Sequence, residues 1–126
     1  MSWRAACIWS SWALLPMVAI LASKGSDLAF LYGAASAVAF AYHWTAEQQW
    51  RGTDHALAWA CILANCWLAW HGEIYTVAVA LIAIGKALVA YRESHSSKRD
   101  CYDEYHTYWH FWCGVAGFLL AKGYHA

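Results

Sequence analysis

The sequence predicts an all-α fold, a polytopic membrane helical bundle of about five transmembrane helices that forms a single domain over residues 1–126. Of its residues, 62% are hydrophobic and 13% are charged, and the mean hydropathy is +0.33. A soluble chain of this size has a large surface to cover with polar groups, so this composition indicates a chain in a bilayer. Apolar segments close to the roughly 20 residues that a spanning helix needs alternate with short polar connections.

The predicted spans cover residues 5–23, 28–44, 55–71, 74–91 and 105–121. The first span follows Arg4 and superficially resembles a signal peptide. Pro16, and an apolar run that continues to Ala22 without an Ala-x-Ala cleavage site, favour a retained helix instead. The second span is slightly short, so its flanking aromatic side chains are expected among the lipid headgroups. The hydrocarbon offers no water to an open backbone, so each span is expected to be a helix.

Connections, small residues and aromatic residues all fit a bundle of membrane helices. Gly72 and Glu73 alone join the third span to the fourth, and a polar stretch over residues 92–104 precedes the fifth. Small residues at 33–37 and 114–117 permit close approach between helices. The sequence contains ten Trp and eight Tyr, many of them near predicted helix ends. Such aromatic residues are typical of the two membrane interfaces.

Charge and cysteine content exclude two further classes of protein. Eight Lys and Arg balance eight Asp and Glu, and no basic block favours nucleic acid as a partner. The five cysteines have no Cys-x-x-Cys spacing, and most fall inside apolar runs: Cys7, Cys61, Cys66, Cys101 and Cys113. We interpret them as small buried hydrophobic residues in a reducing compartment, not as a disulfide framework.

The distribution of basic residues predicts the orientation of this integral membrane protein. The side that holds the N-terminus and the second and fourth connections carries Arg4, Arg51, Arg92, Lys98 and Arg99. The opposite side carries Lys24 and Lys122. Because cytoplasmic connections are enriched in Lys and Arg, the N-terminus is expected in the cytoplasm and the C-terminus outside.

Residues able to bind a metal gather at one level of the predicted bundle. His106 and His110 are four residues apart, so both rings lie on one helical face within reach of a single ion. The second span ends at His43 and the third begins after Asp54, on the same side of the membrane. Three imidazoles around Zn²⁺ leave a fourth position for water, whose pKa the metal lowers towards about 7. We therefore predict His43, His106 and His110 as zinc ligands, with Asp54 as the partner that takes the proton.

This pattern resembles the CREST superfamily of membrane hydrolases, which includes alkaline ceramidases, progestin and adiponectin receptors, and myomaker-related proteins. In that family, a Ser-x-x-x-His on helix two, an Asp on helix three and a His-x-x-x-His on the last helix build a zinc site. In the ceramidases this site hydrolyses a lipid amide. The resemblance implies His43, His106 and His110 as ligands and Asp54 as the acid/base partner.

Two features depart from the family pattern. The family's serine position is occupied by Ala39, and Ser36 is the candidate to replace its hydroxyl. Ser36 precedes His43 by seven residues, which is nearly the same helical face but about 10 Å away along the axis. The family has seven spans, whereas this sequence predicts five. A homo-oligomer would restore the missing wall of a lipid-binding cavity.

The sequence therefore predicts a zinc-dependent intramembrane hydrolase that acts on a lipid amide or ester through a metal-activated water. Two alternatives stay open. Two histidines on facing helices are also typical of a b-type haem protein or a respiratory membrane anchor. The loss of the serine at Ala39 favours a non-catalytic scaffold that keeps its metal for structure.

Overall fold

The structure is a computed structural model that describes residues 2–96 and 102–125. Within these residues the regular elements are helices, apart from an isolated bridge between Gly72 and Tyr124. The helices are α1 (Trp3–Ser10), α2 (Leu15–Ser23), α3 (Leu28–Thr45), α4 (Gln48–Trp70), α5 (Ile74–Ser94) and α6 (Tyr102–Gly123). The all-α prediction is confirmed. Lys98, Arg99 and Cys101 lie outside the described residues.

The first predicted span is not one regular helix. Residues 11–14 form a turn between α1 and α2, and Pro16 lies in the first turn of α2. Proline has no backbone N–H and its ring clashes with the carbonyl four residues earlier, so an α-helix is interrupted just before it. The first predicted span, residues 5–23, thus corresponds to the apolar stretch Trp3–Ser23, with a turn at its centre.

Two helices begin earlier than the apolar pattern indicates. Ala46 ends α3 in a left-handed conformation, with φ 56°, and α4 then begins at Gln48. The start predicted at residue 55 was wrong, and Asp54 lies within the second turn of α4. The last helix begins at Tyr102, three residues before the predicted start. Polar residues in these first turns form helix without belonging to the apolar stretch.

The last helix, α6, lies at the centre of the bundle, in contact with α1, α2, α4 and α5. Glycine allows the closest of these approaches. A Cβ atom at Gly114 would lie 2.6 Å from the carbonyl oxygen of Ala13, and one at Gly117 would lie 2.6 Å from Sδ of Met17. A side chain at Gly114 would force α6 away from the backbone between the first two helices, whereas at Gly117 the flexible end of Met17 could move aside.

The opposite face of α6 packs against α5 through a stripe of small residues. The buried side chains of α5 are Ala80, Ala83, Ala87, Ala90 and Ser94, at helical spacing. Small residues bring helix backbones close, which is how helices associate in a bilayer.

A hydrogen bond in the core joins α3 to α4. The Tyr32 hydroxyl donates to Oδ1 of Asn65 at 2.5 Å.

At one end of the bundle, two charged side chains form hydrogen bonds with backbone groups. Nζ of Lys24 donates to the carbonyl oxygens of Ala121, Lys122 and Tyr124 at 2.7, 2.9 and 2.7 Å. The Glu73 carboxylate accepts from the N–H groups of Tyr75 and Thr76, both at 3.0 Å, at the start of α5. These last two bonds lower the pKa of the Glu73 carboxyl. We call this the Lys24–Glu73 end.

Two stretches of the described chain are long and apolar enough to cross a membrane. They are Trp3–Ser23 and Ile74–Ser94. Large apolar side chains on α5 are exposed around much of its surface, among them Ile74, Leu81, Ile82 and Val89. Length and composition thus favour membrane association.

Candidate metal centre

The start of α1, the end of α3 and the start of α6 meet at the end of the bundle remote from Lys24. His43 lies in the last turn of α3, and His106 and His110 lie in the first half of α6. Helix α1 packs against both α3 and α6, so its first two turns reach the same place. Residues far apart in sequence converge here because successive helices run in opposite directions.

The three histidines predicted from the sequence lie in mutual contact. Their ring centroids are separated by 4.9 Å for His43 and His106, 5.1 Å for His43 and His110, and 4.6 Å for His106 and His110. All three contacts are edge to face. We call this set the histidine cluster.

Cys7 of α1 joins the histidine cluster as a further donor. One ligand atom each of Cys7, His43 and His110 lies within 4.8 Å of the others, so this group can hold a metal ion. Cys7 is 2% exposed, and its Sγ atom lies 4.0 Å from Nδ1 of His43. Zinc bond lengths and a tetrahedral angle require donor separations of about 3.3–3.6 Å. The thiol and imidazole need only a small rotation to reach them.

From the sequence, Cys7 is interpreted as a buried hydrophobic residue, so its place beside His43 and His110 was missed. A signal was present, since Cys7 lies near the start of the first helix. That start falls on the same side of the predicted bundle as the end of the second helix and the start of the last. The depth of Cys7 in the predicted bundle could therefore have placed its thiol at the level of His43.

His106 is the most deeply buried member of the histidine cluster. It is 8% exposed, and within the described chain its buried Nδ1 atom has no hydrogen-bond partner. The other face of its ring stacks on Tyr102, with centroids 4.9 Å apart and an interplanar angle of 14°. A buried polar atom without a partner destabilises the fold. His106, although predicted as a ligand, lies outside the group of Cys7, His43 and His110 whose ligand atoms are within 4.8 Å of one another.

The other two predicted site residues are Asp54, on the adjacent helix α4, and Ser36, on the same helix as His43. Asp54 is half-buried on α4 and lies outside the Cys7, His43 and His110 group. No hydrogen bond in the described part of the chain joins it to the histidine cluster. Ser36 is 1% exposed on α3, and its hydroxyl has no partner among the described residues.

A second carboxylate near the histidine cluster was also missed. Asp103 lies in the first turn of α6, three residues before His106 and seven before His110. This spacing puts Asp103 on the helical face that carries both histidines. Charged residues at the start of the last segment were interpreted only as part of its polar connection.

Comparisons with protein-family models, with curated proteins and with solved structures find no match. The resemblance to the CREST superfamily therefore stays a prediction. The candidate metal centre is therefore the feature that supports a proposal of function.

Proposed function

We propose that this chain is a zinc-dependent membrane hydrolase that cleaves an amide or ester bond in a lipid. The observation that carries the proposal is the donor group of Cys7, His43 and His110, whose ligand atoms lie within 4.8 Å of one another. A thiolate with two imidazoles favours zinc, and three protein ligands leave the fourth tetrahedral position open. Bound zinc supplies a Lewis acid and a water of lowered pKa.

Helices other than the two candidate spans also expose large apolar side chains, which supports a location in the membrane. Phe30 of α3 is 79% exposed, and Leu63 and Trp70 of α4 are 71% and 85% exposed. Lipid covers exposed apolar side chains readily, whereas large apolar patches are rare on proteins in water. We therefore propose that all five predicted spans cross the bilayer, with the N-terminus cytoplasmic. A lipid substrate then reaches the histidine cluster from the membrane.

Proton transfer in this proposal falls to a carboxylate. Asp54 has this role by resemblance to the CREST superfamily, and Asp103 competes for it by its position on the His106 and His110 face of α6. The two are distinguished by comparing Asp54→Asn with Asp103→Asn. Loss of lipid cleavage with retained zinc identifies the carboxylate that carries the proton. If both variants cleave lipid as fast as the parent protein, both assignments are excluded.

Ser36 has a supporting role in the proposal. Its buried hydroxyl, free of partners within the described chain, is available to donate a hydrogen bond to the lipid carbonyl or to water. Ser36→Ala is expected to lower turnover without lowering the zinc content. An unchanged turnover in this variant removes Ser36 from the site.

The experiment that tests the proposed function is metal analysis and lipid hydrolysis with protein purified in lipid nanodiscs. We expect about one zinc per chain and cleavage of a ceramide or a lipid ester. Cys7→Ala and His110→Ala should each lose zinc and lower the cleavage rate by roughly 100-fold or more. His55→Ala is the matched control, because His55 is an exposed histidine of α4 that is not a member of the histidine cluster. A parent protein without stoichiometric zinc overturns the proposal.

A closed, non-catalytic metal site is the second candidate, and His106 is the observation that favours it. Its buried Nδ1 has no partner in the described chain, and its ring touches those of His43 and His110. As a fourth protein ligand it would leave no position for water. Bound zinc without cleavage of any lipid amide or ester, together with cobalt spectra of four protein donors, would establish this candidate.

The haem alternative has less support from the geometry. Two axial imidazoles must lie on opposite faces of a macrocycle. The rings of the histidine cluster instead touch one another edge to face, at centroid distances of 4.6–5.1 Å. A haem between them would require the helices to separate, and a Soret band in the purified protein would show that they do. A homo-oligomer that closes a lipid cavity stays a prediction.

A further inference from the structure

Ser10 connects the two helices that contribute Cys7 and His110. It lies on α1 one turn after Cys7, and its Oγ atom is 2.9 Å from the carbonyl oxygen of Cys7. The same Oγ atom is 2.8 Å from Nδ1 of His110, which lies 100 residues later in the sequence. Both are hydrogen-bond distances. One hydroxyl thus bridges the backbone of one donor residue and the ring of another.

The direction of these two hydrogen bonds determines the tautomer of His110. A serine hydroxyl carries one proton, and a carbonyl oxygen can only accept. If the Ser10 O–H donates to the Cys7 carbonyl, the Ser10 oxygen must accept from an N–H at Nδ1 of His110. A neutral imidazole with its proton on Nδ1 has its free electron pair on Nε2. That nitrogen is then the one available to a metal.

We propose that Ser10 is a positioning residue, which holds His110 in the Nδ1–H tautomer with Nε2 directed at the metal. The inference rests on the proposed metal site, and the Ser10 hydroxyl acts on it only through His110. Partners of this kind on the outer nitrogen are common for histidines that bind metals, because they fix the ring orientation and raise its basicity. Helix α1 thereby supplies both a ligand, Cys7, and the support of a second ligand on α6.

The three histidines differ in this respect within the described chain. Nδ1 of His110 has an oxygen partner, Nδ1 of His43 has only the Sγ atom of Cys7 at 4.0 Å, and Nδ1 of His106 has none. His110 is therefore the ligand whose orientation is prepared before a metal binds. Loss of the Ser10 hydroxyl should release this ring first.

The test compares Ser10→Ala with Ser11→Ala, because the chain offers a matched control in the next residue. Ser11 is also buried, and its hydroxyl has no partner among the described residues. Zn²⁺ affinity is measured by competition with a chelator in detergent. We expect Ser10→Ala to bind Zn²⁺ roughly 10- to 100-fold more weakly than the parent. Ser11→Ala should match the parent, and Ser10→Thr, which keeps a hydroxyl, should restore most of the affinity.

A second readout follows the tautomer without any metal. Nitrogen-15 NMR of histidine-labelled, metal-free protein should give an Nδ1–H signal for His110 in the parent and in Ser10→Thr. In Ser10→Ala this signal should be replaced by a mixture of tautomers. An Nε2–H tautomer in the parent, or equal Zn²⁺ affinity in Ser10→Ala and the parent, overturns the inference. If the parent binds no Zn²⁺, the proposed function fails by itself, while the NMR result still decides the role of Ser10.

Discussion

The two ends of the helical bundle differ in how they use their polar side chains. At the Lys24–Glu73 end, the Lys24 ammonium donates to three carbonyl oxygens and the Glu73 carboxylate accepts from two backbone N–H groups. These bonds join the ends of helices, where backbone groups have no partner within the helix. The charges at this end are matched by the chain itself.

At the other end, the donors of the metal centre are matched less completely. Cys7, His43 and His110 have ligand atoms within 4.8 Å of one another, and Nδ1 of His106 has no partner in the described chain. Buried polar groups without partners lower stability, so each one calls for an explanation such as an ion or a catalytic role. The difference is that the chain itself satisfies the charged groups at one end, whereas the other end holds donors that could bind a metal ion.

The largest expected effect is stabilisation by zinc, which should depend on one end alone. Zn²⁺ at a thousand times its dissociation constant should add about 4 kcal/mol to the free energy of unfolding. Cys7→Ala should abolish this gain, whereas Lys24→Met should keep it. Denaturant unfolding in detergent, followed by tryptophan fluorescence, measures both. The comparison breaks if Lys24→Met loses the response to zinc as well.

The next effect is the loss of the ammonium at the Lys24–Glu73 end. Lys24→Met keeps most of the side-chain length but removes the donor to three carbonyl oxygens, so unfolding should become easier by roughly 3 kcal/mol. Lys122→Met is the matched control, because Lys122 is exposed and its Nζ lies over the ring of Phe118, 5.8 Å from the centroid, so this change should cost under about 1 kcal/mol. Zinc content should be unchanged in both variants. Equal losses in the two variants would contradict the structural role of Lys24.

Close packing of α6 against the first two helices gives the third prediction. Gly114→Ala introduces a Cβ atom 2.6 Å from the Ala13 carbonyl oxygen. We expect a loss of about 2 kcal/mol and weaker zinc binding, because α1 carries Cys7. Gly85→Ala is the control, since a Cβ there meets nothing within 4 Å and alanine favours helix by up to about 1 kcal/mol. Unfolding and zinc titration of both variants decide whether this contact positions the metal centre.

The sequence predicted the helices well where an apolar run begins abruptly. Helix α3 begins at Leu28 and α5 at Ile74, both as predicted, because an acidic residue precedes each run. Elsewhere the apolar pattern marks the part of a helix that suits lipid, not where the helix ends. The early start of α4 at Gln48 follows from this distinction. The turn before Pro16 shows a local backbone effect that overrides an unbroken apolar pattern.

The candidate site was predictable in part for similar reasons. Spacing and helix direction sufficed to bring His43, His106 and His110 to one level of the bundle. Cys7 was missed because a cysteine in an apolar run is more often a packing residue than a ligand. The role of Ser10 could not be predicted from the sequence, since its contact with His110 depends on how closely α1 packs against α6. Such tertiary distances are set by the small residues between helices and cannot be read from periodicity.

The smallest expected effect is a pH dependence that belongs to the Lys24–Glu73 end. Hydrogen bonds from the N–H groups of Tyr75 and Thr76 lower the pKa of the folded Glu73 carboxyl below the ordinary value of 4.5. The folded protein therefore binds this proton less readily than the unfolded chain. Its stabilising contribution is complete above the unfolded pKa and is lost as the pH falls through the folded pKa.

Glu73→Gln removes the titrating group and keeps the size of the side chain, so it isolates this contribution. Near neutral pH the variant should be slightly less stable than the parent, because a neutral amide oxygen accepts the two N–H groups more weakly than a carboxylate. The difference should shrink below the ordinary glutamate pKa, where the parent also becomes neutral. Unfolding of both proteins across this acidic range, without metal, measures it. A difference that stays constant with pH would mean that Glu73 acts only by its shape and not by its charge.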